Sequence, residues 1–275
     1  MYLSEEKSKA ELSAFIESYW RFESNGINDL FFFPDGTFNI FFATEQFVLK
    51  NDMTIHAPGV YVVPISSCPI EVFSQQELYG IRFKAFSLHN VFSQNISQLG
   101  LINNMETLYS KEHALKSFRN MFKGKKDPEE ITSLLEVVAF ELLNKNFHVN
   151  GGLRDKVNYI LDLKGQIRIS EMADEFGLSR QGLHKNFKQN LLISPKELSA
   201  IWQLNHFFTL SSENDDSLTG KAIDAGYYDQ AHFIHSFKHK YGVTPSHFMH
   251  ANTGLFTYAK ENMARRFNNY YDPEV

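Results

Sequence analysis

The sequence predicts an α+β protein in which an antiparallel β domain precedes an all-helical domain. Its length of 275 residues is long for one domain and comfortable for two. Short apolar segments separated by turn residues occur between residues 25 and 84, whereas no strand pattern follows residue 153. The helical part also contains one small unit twice. These observations divide the chain into residues 1–150, residues 151–252 and a helical tail at 253–275.

The composition predicts a cytoplasmic protein with ample core and no membrane partner. Hydrophobic residues make up 43% of the chain, and no run approaches the 18 or so apolar residues that a membrane span needs. The opening MYLSEEKSKAEL lacks an apolar segment, so export is not expected. The lone Cys68 excludes an intramolecular disulfide and fits a reducing compartment.

The net charge of −5 lies in the first part of the chain. Residues 1–152 hold 13 Lys and Arg against 18 Asp and Glu, whereas residues 153–254 hold 11 of each and seven of the 11 histidines. A neutral helical part does not by itself indicate nucleic-acid binding. Its positive groups would have to gather on one face.

The β domain is predicted from turn residues and alternation. Residues 7–22 first favour a helix, because Leu12, Phe15, Ile16 and Tyr19 recur at helical spacing. The segment FFFPDGTFNIFF at 31–42 then places Asp35-Gly36, a tight-turn signal, between aromatic runs. Pro34 indicates an edge strand or a strand end. Further short strands are predicted at 60–64, 70–73 and 78–84.

Helical patterns return before and after a predicted joint. They occur at 112–122 and more strongly at 129–147. The second helix has one apolar stripe that is either core or a dimer surface, and this stripe consists of Ile131, Leu134, Leu135, Val138 and Leu142. The sequence NGG at 150–152 predicts a flexible joint and the domain boundary. The first helix predicted beyond the joint ends near Gly165, and the next three cover 170–176, 179–189 and 195–210. A short helix that ends at Ala225 and a helix that starts at Asp229 follow.

A repeat at an offset of fifty residues organises this helical part. Leu183 corresponds to Phe233, Phe187-Lys188 to Phe237-Lys238, and Ser194-Pro195 to Thr244-Pro245. Each copy has Ala, then Gly four residues later, then a residue able to cap a new helix; these are Ala173, Gly177 and Ser179, and Ala222, Gly226 and Asp229. Small Ala lets helices approach, and Gly permits a sharp turn. This is the helix-turn-helix layout, whose second helix enters the DNA major groove.

The second helix of each copy has an apolar face and a polar face. Apolar residues at i, i+4 and i+8 predict the buried faces: Leu183, Phe187 and Leu191, then Phe233, Phe237 and Tyr241. The opposite faces carry donors that suit base edges and phosphates. The residues predicted to contact DNA are Arg180, Gln181, His184, Lys185, Lys188, Gln230, Ala231, His232, His235, Ser236, Lys238 and His239. Lys240 is a further predicted phosphate contact.

The connecting helix has a length that suits two contacts with one duplex. Successive major-groove turns on one side of DNA are about 34 Å apart. A helix from Pro195 to Leu210 is about 24 Å long at about 1.5 Å per residue, which is a sensible spacer once the widths of the two units are added.

The last hundred residues resemble the AraC/XylS transcription regulators. The resemblance rests on Gly226, Asp229-Gln230, His232-Phe233, Phe237-Lys238, Gly242 and Thr244-Pro245. It implies a two-lobed helical domain that contacts promoter DNA through both recognition helices. By position, it assigns base contacts to Gln181, His184 and Lys185, and to Ala231, His232 and His235.

The first half is similar to the companion domain of one branch of that family. The matching residues are ESYW at 17–20, PDG at 34–36 and YGIRF at 79–83. This similarity implies a cupin-like β-barrel followed by helices that dimerise. The sequence departs from the family pattern at His235 and Gln203, where Arg is usual, and at Lys221, where a buried aliphatic residue is usual.

Other interpretations stay open at this point. His232, His235 and His239 have a spacing that could bind zinc, although no acidic or Cys ligand accompanies them. The barrel could belong to a metal-dependent enzyme, but its histidines are scattered and no catalytic motif occurs. The Phe-rich strands are core or line an apolar pocket. The helical repeat could bind protein instead of DNA.

The sequence therefore predicts a non-enzymatic, sequence-specific DNA-binding regulator with no cofactor and no metal. The expected partners are double-stranded promoter DNA and RNA polymerase. A small-molecule effector in the N-terminal domain and a second copy of the chain are further partners that the prediction includes.

Overall fold

The computed structural model describes residues 2–8, 12–23, 29–75, 77–105, 120, 122, 124, 127–143, 150–213 and 218–250. Two antiparallel sheets come first and helices follow, which confirms the predicted α+β class. The predicted helix at 112–122 and the tail at 253–275 lie outside the described residues, apart from single positions in the former. In the part that is described, no helix is both long and apolar enough to cross a membrane.

The strands form one sheet of six and one of four. The strands are β1 (Tyr2–Lys7), β2 (Ile16–Glu23), β3 (Asp29–Phe32), β4 (Phe38–Ala43), β5 (Phe47–Leu49), β6 (Thr54–His56), β7 (Gly59–Val63), β8 (Ile70–Phe73), β9 (Leu78–Phe83) and β10 (Asn103–Asn104). The larger sheet has the order β1-β2-β9-β4-β7-β10, and the smaller has the order β3-β8-β5-β6. The strands predicted at 60–64, 70–73 and 78–84 are confirmed as β7, β8 and β9.

The turn at Asp35-Gly36 joins the two sheets. Asp35 accepts hydrogen bonds from the backbone amide and the hydroxyl of Thr37, at 2.9 and 2.6 Å. The strand before it, β3, is an edge strand that ends just ahead of Pro34, as predicted. The next strand, β4, lies in the other sheet, so the turn directs the chain from one layer into the second.

The helix predicted at 7–22 is wrong, because residues 16–23 form β2. This strand pairs with β1 on one side and β9 on the other. Both of its faces are covered: Ile16 and Tyr19 belong to one buried cluster, while Trp20 and Phe22 belong to a second. A strand buried on both faces lacks a clean alternation of apolar and polar residues, so its pattern can imitate helical spacing.

Aromatic side chains fill the space between the two sheets. Trp20 packs against Phe32 and Phe41 with ring centroids 5.8 and 6.5 Å apart, and Tyr61 packs against Phe41 and Phe47 at 5.6 and 4.8 Å. Each such ring contributes about 1.5–3 kcal/mol when it is removed from water. The Phe-rich strands therefore contribute core side chains.

The helices, in chain order, are α1 (Leu88–Phe92), α2 (Pro128–Leu143), α3 (Gly151–Asp162), α4 (Ile169–Glu175), α5 (Arg180–Leu191), α6 (Pro195–Glu213), α7 (Leu218–Asp224), α8 (Gln230–Tyr241) and α9 (Pro245–His250). In α2 the apolar stripe lies mostly in the core, since Ile131, Leu135 and Val138 are buried. Val137 and Phe140 on another side of this helix are about half exposed, at 50% and 45%.

The flexible joint predicted at 150–152 is instead the start of a helix. Asn150 caps α3 by accepting a hydrogen bond from the amide of Leu153 at 3.2 Å, and Gly151 and Gly152 form the first helical turn. A capping side chain compensates for the low helix propensity of two glycines. The domain boundary at this point remains a prediction from sequence.

The two halves of the chain pack against each other. One cluster of buried side chains extends from Leu12 in the first half to Phe248 in the second. Phe33 lies 5.5 Å from Tyr241 and 6.2 Å from Phe248, measured between ring centroids. Gly36 lies against Trp202 of α6, so closely that a Cβ there would be 2.8 Å from the indole nitrogen. The β half therefore contacts the helices that hold the repeated unit.

Candidate nucleic-acid interface

The first helix-turn-helix unit consists of α4 and α5. Its turn passes through Gly177, whose φ of +62° is the left-handed conformation that glycine adopts without strain. Ser179 then caps α5 by accepting a hydrogen bond from the amide of Gly182 at 3.0 Å. The stripe of Leu183, Phe187 and Leu191 is fully buried. The burial of this stripe fixes which side of α5 faces outward.

The second unit, α7 and α8, repeats this arrangement. Gly226 has φ of +85°, and Asp229 caps α8 by accepting from the amide of His232 at 2.7 Å. Phe233, Phe237 and Tyr241 are buried. The motif positions predicted from the repeat thus perform the same local roles in both copies. We call α5 and α8 the recognition helices.

The outer faces of both recognition helices are open to solvent. Of the predicted contact residues, those that are exposed are Arg180, Gln181, His184, Lys185, Lys188, Gln230, Ala231, His232, His235, Lys238 and His239. Ser236 is half-buried beside Tyr227. Burial raises the pKa of the Tyr227 hydroxyl, and its interaction with Ser236 opposes that shift. Ser236 is therefore less available than its neighbours on α8.

Lys188 is exposed but already engaged. Its ammonium lies 3.0 Å from Glu197 at the start of α6. Glu197 also accepts a hydrogen bond from the amide of Ser194 at 2.8 Å, and Ser194 accepts one from the amide of Glu197 at 3.1 Å. This reciprocal pair is a capping box. Burial by itself raises the pKa of Glu197, but the hydrogen bonds with Ser194 and the Lys188 charge outweigh it and lower the pKa to about 2.

Two lysines lie in the interior of the protein. Lys240 is only 6% exposed, and burial lowers its pKa, while Cys68 and Glu197 raise it. The prediction that Lys240 contacts phosphate is therefore wrong, because its side chain faces the β half. Lys221 is 7% exposed within α7, so the position where an aliphatic residue is usual is indeed buried.

Tyr228 is an exposed aromatic residue that the sequence interpretation left out. It is 91% exposed and immediately precedes the cap of α8. The nearby Ile234 on α8 is 37% exposed. The sequence does carry a signal for Tyr228: the turn from Gly226 to Asp229 is one residue longer than the turn from Gly177 to Ser179. An additional residue beside a recognition helix changes which side chains that turn exposes.

The described residues do not supply an evident metal site. No three side chains of His, Cys, Asp or Glu come together there in a way that could hold a metal ion. His232, His235 and His239 are spread along the exposed side of α8.

Comparisons with known proteins agree with this geometry. Residues 172–251 match the family model described as a Helix-turn-helix domain, and residues 5–101 match one described as a Domain of unknown function (DUF6597). The HTH-type transcriptional activator RhaS of Escherichia fergusonii is 32% identical over 74 residues, which is 27% of each chain. An uncharacterized HTH-type transcriptional regulator of Staphylococcus aureus is 24% identical over 138 residues. That match covers 48% of this chain and 18% of the staphylococcal protein.

Among solved structures, ToxT from Vibrio cholerae resembles the chain over most of its length. One ToxT structure covers 90% of this chain and 100% of its own, with a TM-score of 0.48 and 11% identity. Another covers 86% and 97%, with a TM-score of 0.45 and 14% identity. The repeated unit, the family match and the regulators that share it lead to one conclusion: residues 172–251 form a helix-turn-helix domain of the AraC type, as in HTH-type transcriptional regulators.

Proposed function

We propose that this chain binds specific promoter DNA by placing α5 and α8 in successive major-groove turns of one duplex. The observation that supports this most directly is common to both helices: a capped start, a buried apolar stripe and an outer face of exposed donors. An α-helix fits the major groove, where each base pair presents a distinct pattern of donors and acceptors. Two such helices would contact more base pairs than one.

The exposed residues divide into two roles by chemistry. Gln181, His184, Lys185, His232 and His235 carry the donors that would contact base edges, and Ala231 could contact only a thymine methyl group. Arg180, Lys188 and Lys238 would contact phosphates, each adding about one unit to the slope of log affinity against log salt. Because Lys188 pairs with Glu197, its contribution to that slope is expected to be the smallest.

Selection of bound fragments from random genomic DNA by the purified protein tests the proposal. On the selected site, His184→Ala or His235→Ala should each lose about 1–3 kcal/mol of DNA-binding free energy. The preference for one base should weaken at the base pairs that the histidine contacts. Lys238→Ala should instead weaken specific and random DNA alike. Lys7→Ala, which removes an exposed lysine of β1, is the matched control. It should leave the affinity for the selected DNA and for random DNA unchanged.

Equal losses of affinity on selected and random DNA in the His184→Ala variant would contradict the role in base contacts. A protein that acts mainly through protein contacts would show almost no dependence of DNA affinity on salt. Measuring affinity at two salt concentrations therefore separates that alternative from the proposal.

We also propose that a small molecule controls the protein from a cavity between its two halves. The cavity measures about 340 Å³, a size suited to a small ligand. Its walls include Phe86, Leu161 and Trp202, and its charged lining consists of two cations, Lys84 and Arg154, and one carboxylate, Asp162. Burial lowers the pKa of Lys84, while Glu17 raises it. An apolar molecule with one anionic group complements this lining, and it would contact α3 and α6 of the helical half directly.

Thermal unfolding with a panel of carboxylates tests this cavity, with the matched alcohols as controls. Some carboxylates should raise the melting temperature and change DNA affinity, and the effect should disappear in Lys84→Met but persist in Lys7→Met. An equal response to the alcohols, or a response that Lys84→Met retains, would contradict an anion site.

The remaining partners follow from the proposed role. A promoter-bound regulator would meet RNA polymerase on the same DNA, and it would work in the cytoplasm. A homodimer is proposed from the family resemblance. Its measurement is the mass of the protein in solution with and without the selected DNA.

A further inference from the structure

Besides α6, the second helix-turn-helix unit has another connection toward the first, namely the turn of residues 164–166, which lies between α3 and α4 and directly precedes the first unit. Gly165 in this turn has φ of +73°, and a Cβ there would lie 2.3 Å from both the amide nitrogen of Gln203 and the carbonyl oxygen of Ser199 in α6. The Ser199 hydroxyl donates a hydrogen bond to the Gly165 carbonyl at 2.6 Å. The turn is thus docked onto the backbone of α6, and only glycine fits at its centre.

From the same turn, Gln166 extends to the second unit. Its side-chain amide donates a hydrogen bond to the carbonyl of Asp224, the last residue of α7, at 3.3 Å. A Cβ on Gly226 would lie 2.8 Å from the Gln166 side chain. Gly226 therefore has two roles: it makes the turn before α8, and it leaves the space that Gln166 occupies.

A buried histidine lies beneath this contact. His206 of α6 is 6% exposed, and its Nδ1 lies 3.1 Å from the hydroxyl of Thr209. Burial lowers its pKa to about 4, with Lys164 lowering it further and Asp224 raising it. The ring is therefore neutral near pH 7, and the charges that act on it come from Lys164 in the turn and Asp224 at the end of α7.

We infer that residues 164–166, which we call the inter-unit joint, fix the rotation of the second unit relative to the first and so select the spacing between two half-sites on DNA. Without the joint, side-chain packing on α6 and on Phe33 of the β half would alone resist rotation of α7 and α8 about the axis of α6. The joint adds a connection away from that axis, made through backbone carbonyls. Because one base pair rotates the duplex by about a tenth of a turn, a fixed rotation between the recognition helices restricts binding to one spacing.

This inference rests on the proposed function for its DNA consequence, but the joint itself can be tested without DNA. Spin labels placed by Lys185→Cys and Lys238→Cys in a Cys68→Ser background would report the distance between α5 and α8, since Cys68 is the only native cysteine. Gln166→Ala should broaden the distance distribution, whereas Gln98→Ala, an exposed glutamine of the first half, should not. An unchanged distribution in Gln166→Ala would overturn the joint.

The second measurement uses the DNA selected by the wild-type protein, with one base pair inserted between the half-sites. We expect the insertion to lower the DNA affinity of the wild-type protein and of Gln98→Ala at least tenfold. The loss of affinity in Gln166→Ala should be smaller by a factor of at least three. Equal penalties in all three proteins would refute the selection of spacing. If wild type shows no specific site, the proposed function fails and the DNA consequence fails with it, while the label distances still decide whether the joint exists. Gly165→Ala is a stronger variant that is informative if it folds.

Discussion

The two helix-turn-helix units have the same backbone plan but different surroundings. In the first, the end of α5 is held by charge and hydrogen bonds, through Lys188, Glu197 and Ser194. In the second, the corresponding end of α8 lies in a group of aromatic rings: Phe207, Phe208, Phe233, Phe237, Tyr241 and Phe248. Phe33 from the β half joins that group.

The difference separates the features that both helix-turn-helix units share from those that depend on the elements packed around each unit. Both units keep a capped start, a left-handed residue at the end and a buried stripe, because a helix packed on a second helix needs all three. The aromatic group of the second unit also contacts the β half, because Phe33 packs against Tyr241 and Phe248. A change in the β half can therefore reach α8 through direct ring contacts.

The largest effects are expected where the stripe residues are removed. Phe187 and Phe237 occupy equivalent positions, and both are fully buried. Truncation to Ala should cost about 3–5 kcal/mol at each, and Phe237→Ala should cost about 1 kcal/mol more, because each aromatic pair adds about 0.5–1.5 kcal/mol. Urea denaturation of the two variants measures the difference. A larger loss for Phe187→Ala would contradict the comparison.

The helix ends provide the second test. α8 ends at Gly242 with φ of +74° and α5 ends at Leu192 with φ of +63°. Nothing lies near a Cβ at Gly242, so Gly242→Ala should cost about 1–2 kcal/mol from backbone strain alone. The midpoint of thermal unfolding measures this loss of stability. Ala200→Gly in α6, which exchanges the same two residue types in the opposite direction, is the control. No loss in Gly242→Ala would show that the second unit tolerates a strained end as the first does.

The Glu197 capping box should give a smaller effect that depends on pH. Because the folded-state pKa of Glu197 is about 2, below its ordinary value of 4.5, the contribution is present above pH 4.5 and is lost as the pH falls toward 2. With 42% of the side chain exposed, Glu197→Gln should cost about 0.2–1 kcal/mol at pH 7. The second unit has His247 at this position, and its amide donates to the Thr244 hydroxyl at 3.3 Å. When unfolding is followed from pH 7 to pH 2, the stability difference between wild type and Glu197→Gln should shrink, and a constant difference would contradict the role of the Glu197 charge.

Tyr228 should have the smallest effect on stability. Since it is 91% exposed, Tyr228→Ala should change the free energy of unfolding by less than about 0.5 kcal/mol. If the second turn approaches DNA, the same variant should lose affinity for the selected site by about threefold to tenfold, at the scale of one hydrogen bond. Tyr228→Phe separates the hydroxyl from the ring. Unchanged DNA affinity in both variants would mean that this turn points away from the duplex.

Much of the helical half could be predicted from sequence, because its signals are local. Caps such as Ser179 and Asp229, turn glycines such as Gly177 and the i, i+4, i+8 stripes each act within one turn or one helix face. The β half was harder to predict. The pattern of residues 7–22 predicts a helix where β2 forms, because helices cover one face of this strand and the second sheet covers the other.

Sequence alone determined the repeated unit, the side of each recognition helix that faces outward, and the strands β7, β8 and β9. It could do so because hydrophobic periodicity and capping are properties of neighbouring residues. Only the tertiary structure decided that Lys240 is buried, that Glu197 holds Lys188, and that Gln166 reaches the second unit. Those outcomes depend on which distant surfaces meet, and burial, ion pairs and off-axis contacts exist only after the chain has packed.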